Sequence, residues 1–222
     1  MALIKKNALI FFLLLGQATP SFVWAEQEVV DCLVATVNQE IITLTDLKIF
    51  REFLLTSPAG GWLSPEQLLN KVIEIKVVVQ AAKGEVSLSP EEVAAFRREV
   101  FQAGGDEHIS ERLRFFGLAE AEFEAYLKEK LLYEKIISLH SSLKTGVTLR
   151  EIEAYYTERY IPEEKLRGRE PRPLIEVAGE VERQIRQEKL RRQLEDWKEG
   201  LRKRVLIRVN NECLQFIDRG EQ

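Results

Sequence analysis

The chain has 222 residues, of which 45% are hydrophobic and 31% are charged, and its net charge is −4. This balance is typical of a folded, very soluble, helix-rich protein and excludes an intrinsically disordered chain. Because the Lys and Arg residues are scattered along the predicted helices of an acidic chain, we expect no nucleic-acid partner.

The first 25 residues have the pattern of a secretory signal peptide. Lys5 and Lys6 precede an uninterrupted apolar run at 8–15, and a cleavage position follows Ala25. The run is too short for a stable membrane anchor. We therefore predict a signal peptide at 1–25, a periplasmic location and no stable membrane span after cleavage, with an uncleaved amphipathic anchor as the alternative. This segment holds two lysines and no acid, so its removal would change the net charge to −6.

The residues after the signal predict a short hairpin that leads into a helix. Residues 29–37 are β-branched and apolar enough for a strand, Asn38-Gln39-Glu40 predicts a turn, and Ile41-Ile42 predicts a short return strand. Thr43 and Asp46 have the spacing of a capping box, which predicts the start of the first helix.

Helix follows helix in the middle of the chain. Ser64-Pro65 and Ser89-Pro90 each place a capping hydroxyl before a proline at the first helical position. The helix that begins after Ser64 is apolar on nearly every side, which predicts the central and most buried helix. The predicted helices run from 65 to about 84, 90–104, 107–116, 120–143, 148–160 and 174–203.

The two ends of the chain are predicted to meet. The segment 161–173 is polar and rich in proline, which indicates a linker, and residues 205–209 again have the composition of a strand. Because a lone strand leaves its backbone groups unpaired, the end strands should form one small antiparallel sheet with Ile41-Ile42. Cys32 and Cys213 would then lie at the same edge, which favours a disulfide over two separate thiols.

The sequence indicates neither a metal site nor a cofactor. The only histidines are His108 and His140, and neither has a Cys or another His at ligand spacing.

Several motifs in order resemble those of the SurA and PrsA-like periplasmic chaperones. No single motif is specific, but their order and spacing cover nearly the whole chain after the signal, including the final helix with Trp197 and the closing strand. The motifs are Val34-Ala35-Thr36-Val37-Asn38, Ile41-Ile42-Thr43-Leu44-Thr45-Asp46-Leu47, Ser89-Pro90-Glu91-Glu92-Val93, Phe116-Gly117-Leu118 and Val147-Thr148-Leu149-Arg150-Glu151-Ile152.

The resemblance implies a mainly α, multi-helix SurA N-terminal-like chaperone module with a small antiparallel sheet. Its helical domain would span 26–160, the segment 161–173 would be a linker, 174–210 would complete the module with the last helix and strand, and 211–222 would be a tail. Members of the family carry a parvulin prolyl isomerase domain where this chain has only 161–173. The resemblance therefore implies a chaperone without the catalytic domain, although a prolyl isomerase remains a distant alternative. A smaller departure is Gln39, where the family usually has glycine, and it predicts a different turn geometry.

The function implied by the resemblance is ATP-independent binding of unfolded or outer-membrane client polypeptides. Candidate client-binding residues are the aromatic side chains Trp62, Phe115, Phe116, Tyr155 and Tyr156. Adjacent phenylalanines on a helix cannot both face one core, so one of the pair at 115–116 should be partly exposed. Ordinary packing between helices is the alternative for each aromatic residue. A non-catalytic adaptor or structural subunit of an envelope complex is the alternative function, and homodimerisation is left open.

Overall fold

A computed structural model describes residues 31–55, 63–142 and 145–217. The described chain is mainly helical, with a small three-stranded antiparallel sheet formed by its N- and C-terminal strands. The predicted signal peptide at 1–25 and the candidate residue Trp62 lie outside the described residues. Within the described ranges, no helix combines the length and the apolar character needed to cross a membrane.

The sheet joins the two ends of the chain, as the sequence predicted. Strand β1 (Leu33–Val37) lies between β2 (Glu40–Thr43) and β3 (Ile207–Val209), and both pairings are antiparallel. The register between β1 and β2 shifts after Leu33, and the next two residues of β1 are both fully buried. Such a β-bulge turns successive side chains toward the same face.

The two cysteines of the predicted disulfide lie at disulfide distance. The Cα atoms of Cys32 and Cys213 lie 5.8 Å apart. Cys213 belongs to the short helix α9 (Asn211–Leu214), so the segment predicted as a tail begins with ordered structure. The Asn210 side chain accepts a hydrogen bond of 3.1 Å from the Glu212 N–H and caps this helix. Cys213, Leu214 and Ile217 are buried in the main core.

The helices begin where the capping signals predicted. Helix α1 (Leu44–Ile49) starts at the Thr43–Asp46 capping box and continues into a π-helical turn, Phe50–Leu54. Capping boxes with Ser64 and Ser89 start the next two helices, each with proline in the first turn. The helices of this part of the chain are α2 (Pro65–Ala81), α3 (Pro90–Gly104), α4 (Asp106–Phe115) and α5 (Glu120–Ser141).

Helix α2 lies at the centre of the main core. It contacts α1, α5 and β1, and it also contacts α8 (Leu174–Arg202), the last long helix. Its buried side chains cover most of its circumference, as the sequence predicted, and they are Leu68, Leu69, Val72, Ile73, Ile75, Val77 and Val78.

The N-terminal half of α8 packs against a second group of short helices. These are α6 (Leu149–Tyr155), a π-helical turn (Tyr156–Tyr160) and α7 (Ile161–Leu166). Their shared core holds Tyr160, Val177, Val181 and Ile185. The C-terminal half of α8 instead contributes Trp197 and Leu201 to the main core. The segment predicted as a linker thus begins with a helix, α7. Pro162 is compatible with this helix, because it occupies a first-turn position where its missing N–H costs nothing.

Candidate functional site

An exposed aromatic residue lies at the end of α4. The side chain of Phe115 is 66% exposed, whereas Phe116 is half-buried against the main core. The two rings meet edge to face with centroids 5.5 Å apart. The expectation that one of these adjacent phenylalanines would be exposed therefore agrees with the structure, and Phe115 is the exposed one.

Arg112 holds this aromatic pair in place. Its guanidinium lies over both rings, 4.6 Å from the centroid of Phe115 and 5.2 Å from that of Phe116. The same group donates hydrogen bonds of 2.5 and 2.9 Å to the two carboxylate oxygens of Glu52. A bidentate ion pair of this kind has a fixed geometry, so α4 is anchored to the π-helical turn after α1.

The aromatic contacts continue from Phe116 into a groove. Phe116 meets Phe53 edge to face at 6.3 Å, and Phe53 lines a groove of about 490 Å³. Its apolar wall consists of Phe53, Leu54, Phe96, Val100, Ala103 and Ile109, and its polar rim of Glu52, Glu99, His108, Lys130 and Glu134. We call Phe115, Phe116 and Phe53 the α4 aromatic surface; it connects an exposed ring with a concave, largely apolar site.

A second groove lies between the start of α3 and α5. It has a volume of about 640 Å³. Its apolar residues are Val86, Leu88, Pro90, Val93, Ala94 and Leu132, and its charged residues are Arg97, Glu124, Lys128 and Glu129. No sequence motif singled out this groove, although the apolar Val86 and Leu88 between two predicted helices were a possible signal.

The second groove contains a partly buried ion pair. The Glu129 carboxylate lies 2.8 Å from the Lys76 ammonium, and each side chain is mostly removed from water. Burial raises the pKa of Glu129, while the charge of Lys76 opposes that rise. The paired charges therefore tie α5 to α2 beneath the groove.

Tyr155 and Tyr156 lie elsewhere, in the second hydrophobic cluster. Both are half-buried. The ring of Tyr156 stacks on Tyr160 at 5.5 Å, and its hydroxyl donates a hydrogen bond of 2.8 Å to the carbonyl of Arg172. Arg159 lies over the Tyr155 ring at 4.7 Å. The structure therefore places the tyrosine pair and the phenylalanine pair in different clusters and not in one cradle.

A charged pocket of about 380 Å³ adjoins these tyrosines. The buried hydroxyl of Tyr160 makes no hydrogen bond of good geometry with any described residue. The neighbouring Tyr160 hydroxyl, and to a lesser degree the Glu180 carboxylate, raise the pKa of the Arg172 guanidinium. Glu164 accepts hydrogen bonds from Arg169 and Arg167, and these lower the pKa of its carboxyl. The pocket largely neutralises its own charges, and sequence reasoning did not find it.

The two histidines take unrelated positions. His140 stacks on Trp197 with ring centroids 3.7 Å apart, which joins the end of α5 to α8, while His108 lines the rim of the 490 Å³ groove. Among the described residues, no group of three or more His, Cys, Asp or Glu side chains could hold a metal ion.

Comparison with known proteins identifies no family for this chain. No protein-family model matches it, and no curated protein matches it.

Proposed function

We propose that this chain is an ATP-independent, chaperone-like protein that binds unfolded polypeptides, including outer-membrane clients, in the periplasm. The observation that carries the proposal is the α4 aromatic surface. Phe115 is exposed, Arg112 fixes it, and its contacts run through Phe116 and Phe53 into an apolar groove. Large exposed aromatic side chains next to concave apolar sites are typical of surfaces that bind other polypeptides.

The two grooves along α3 support binding of many different unfolded segments more than recognition of one folded partner. Each is open and combines apolar side chains with long charged ones, such as Lys128 in one groove and Lys130 in the other. Long side chains of this kind can cover or expose apolar surface as a client changes. Several weak contacts to generic apolar segments permit release without ATP, because folding of the client removes those segments from the surface.

Two features of the sequence support the same proposal. The order of motifs resembles that of SurA and PrsA-like chaperones, and the first 25 residues have the pattern of a signal peptide that would direct the chain to the periplasm.

The alternative is a non-catalytic adaptor, and one observation favours it. Leu166 at the end of α7 is 87% exposed, and Ile175 at the start of α8 is 89% exposed. Exposed aliphatic side chains on either side of one connection are a feature that a surface docking to a folded partner can have. Under the chaperone proposal, replacing both by serine leaves client holding unchanged; under the adaptor reading, that change removes the function.

The direct test is suppression of aggregation. A denatured β-barrel protein is diluted into buffer with increasing amounts of the purified protein, and light scattering is followed. The unmodified protein, Phe115→Ala and Leu149→Ala are compared. Leu149 is the matched control, because it is apolar, is 68% exposed and lies on α6, away from the α4 aromatic surface.

We expect Phe115→Ala to require about tenfold more protein for the same suppression, which corresponds to about 1.4 kcal/mol. Leu149→Ala should behave like the unmodified protein. Aggregation that proceeds unchanged at several-fold molar excess, or equal losses in the two variants, would contradict the proposal.

A further inference from the structure

Strand β3 has an open edge. The Asn38 N–H donates to the Leu206 carbonyl at 2.8 Å, and the Asn210 N–H donates to the Val34 carbonyl at 2.7 Å. In an antiparallel pair, every second residue directs its backbone groups to the neighbouring strand. Residues 206, 208 and 210 therefore face β1, so Ile207 and Val209 direct their N–H and C=O groups outward. No described strand pairs with that side of β3.

The open edge is flanked by positive charge and apolar side chains. Arg204 and Arg208 are exposed, and neither forms an ion pair with any residue in the described ranges. Leu206 and Val209, which lie between and beside them, are also exposed. This short edge thus offers four outward backbone hydrogen-bonding groups, those of Ile207 and Val209, and two exposed guanidinium groups lie near them in the chain.

Pairing of two copies through this edge is disfavoured. The antiparallel register that uses the outward groups of both Ile207 and Val209 has its two-fold axis at Arg208. It would place Arg208 of each copy directly opposite the same residue of the other. Like charges that face each other across a strand pair are destabilising. A strand with acidic residues at that position would instead gain from the two arginines.

We propose that the edge of β3 binds an extended segment of an unfolded polypeptide as a fourth strand, and that it selects segments in which Asp or Glu alternates with apolar residues. This inference rests on the proposed function and names a class of client segment for it. Main-chain hydrogen bonds supply sequence-independent affinity in such strand addition, and the arginines supply the preference. The short edge limits affinity, as a holding protein requires.

The test uses two labelled ten-residue peptides and fluorescence anisotropy. In one peptide Glu alternates with Val, and in the other Lys replaces Glu. Val209→Pro removes an outward N–H and leaves the bonds to β1 in place, because the Val209 N–H does not face β1. Proline is tolerated at edge positions of this kind. Val209→Thr keeps the N–H and is the matched control. The Arg204→Gln, Arg208→Gln double variant tests the charge preference.

We expect the glutamate peptide to bind, its Kd to rise at least tenfold in Val209→Pro, and Val209→Thr to bind normally. The double glutamine variant should bind more weakly and with less dependence on salt, and the lysine peptide should not bind. An independent readout needs no variant: amide exchange at Ile207 and Val209 should be fast in the free protein and slow when the glutamate peptide is bound.

Equal binding of both peptides, equal binding by the Pro and Thr variants, or exchange at these two amides that the peptide does not slow would overturn the inference. Binding to anionic vesicles that depends on the two arginines, without binding of the glutamate peptide, would overturn it in favour of a charged surface. A protein that suppresses aggregation but ignores the peptide contradicts this inference alone. A protein that binds the peptide but does not suppress aggregation contradicts the proposed function alone.

Discussion

Asn38 joins three elements from one exposed turn position. Its backbone has φ of +55°, a left-handed conformation that asparagine tolerates better than most residues. Its side-chain amide donates to Gln80 of α2 at 2.9 Å, and its side-chain oxygen accepts from the Leu206 N–H at 3.0 Å. In this turn the left-handed residue is Asn38, whereas Gln39 does not have a positive φ.

We predict that Asn38→Ala lowers the free energy of unfolding by about 2 kcal/mol. Roughly 1 kcal/mol comes from the left-handed backbone and about 1 from the lost hydrogen bonds. Asn38→Gly relieves the backbone cost and should lose only about half as much. Urea unfolding of the three proteins measures these differences, and equal stabilities for the Ala and Gly variants would contradict the backbone contribution.

Exposure of single aromatic residues could be predicted only where neighbours constrained it. Phe115 and Phe116 are adjacent on a helix, so their side chains cannot both face the same core. Tyr155 and Tyr156 had no such constraint, because their burial depends on α8 residues far away in sequence. His140 shows the same limit, since its stacking partner Trp197 lies on another helix.

At the scale of elements, local signals predicted helix starts well. The boxes at Thr43, Ser64, Ser89 and Thr148 all form, because their hydrogen bonds join residues three apart. The two π-helical turns and α7 were not predicted. Proline and charge in 161–173 indicated a linker, yet packing of Tyr160 beside α8 extends helical structure into that segment.

The start of α6 provides a prediction about pH. The Glu151 carboxylate pairs with Lys189 at 2.5 Å and accepts a hydrogen bond of 2.8 Å from the Thr148 N–H. The Lys189 contact, followed by the Thr148 bonds, lowers the pKa of Glu151 from 4.5 to about 2. Because the folded pKa is the lower one, this contribution to stability is complete above pH 4.5, declines as the pH falls toward 2 and is absent below that.

NMR titration of the Glu151 carboxyl carbon checks this value directly. The account predicts a midpoint near pH 2 in the unmodified protein. It also predicts an upward move toward the ordinary value in Lys189→Gln, because the largest cause of the shift is removed. A midpoint near 4.5 in the unmodified protein would contradict the described contacts.

At the scale of the whole molecule, the sequence predicted how the ends meet but not where the grooves lie. Two end strands without other partners had to pair, and that pairing brought the cysteines together. The two grooves along α3 and the charged pocket beside Tyr160 are assembled from segments whose packing angles no local pattern specifies. The candidate site was therefore predictable in part, through Phe115 and Phe116 alone.

The disulfide should contribute substantially to stability. It joins residues 181 positions apart, and in the chain-entropy model a loop of that length allows at most about 5 kcal/mol. We expect reduction to lower the free energy of urea unfolding by about 2–4 kcal/mol. The Cys32→Ser, Cys213→Ser double variant should be insensitive to reductant. Equal unfolding curves for the oxidised and reduced protein would contradict the expected stabilisation.

The central claim is that the surface around Phe115 contacts unfolded polypeptide, and site-specific photo-crosslinking tests it most directly. A photoreactive phenylalanine analogue replaces Phe115 in one protein and Leu149 in another, and each is irradiated with a β-barrel protein in its denatured and folded forms. The account predicts crosslinks from position 115 to the denatured form, few to the folded form, and few from position 149 to either. Equal crosslinking from both positions, or equal crosslinking of both client forms, would contradict it.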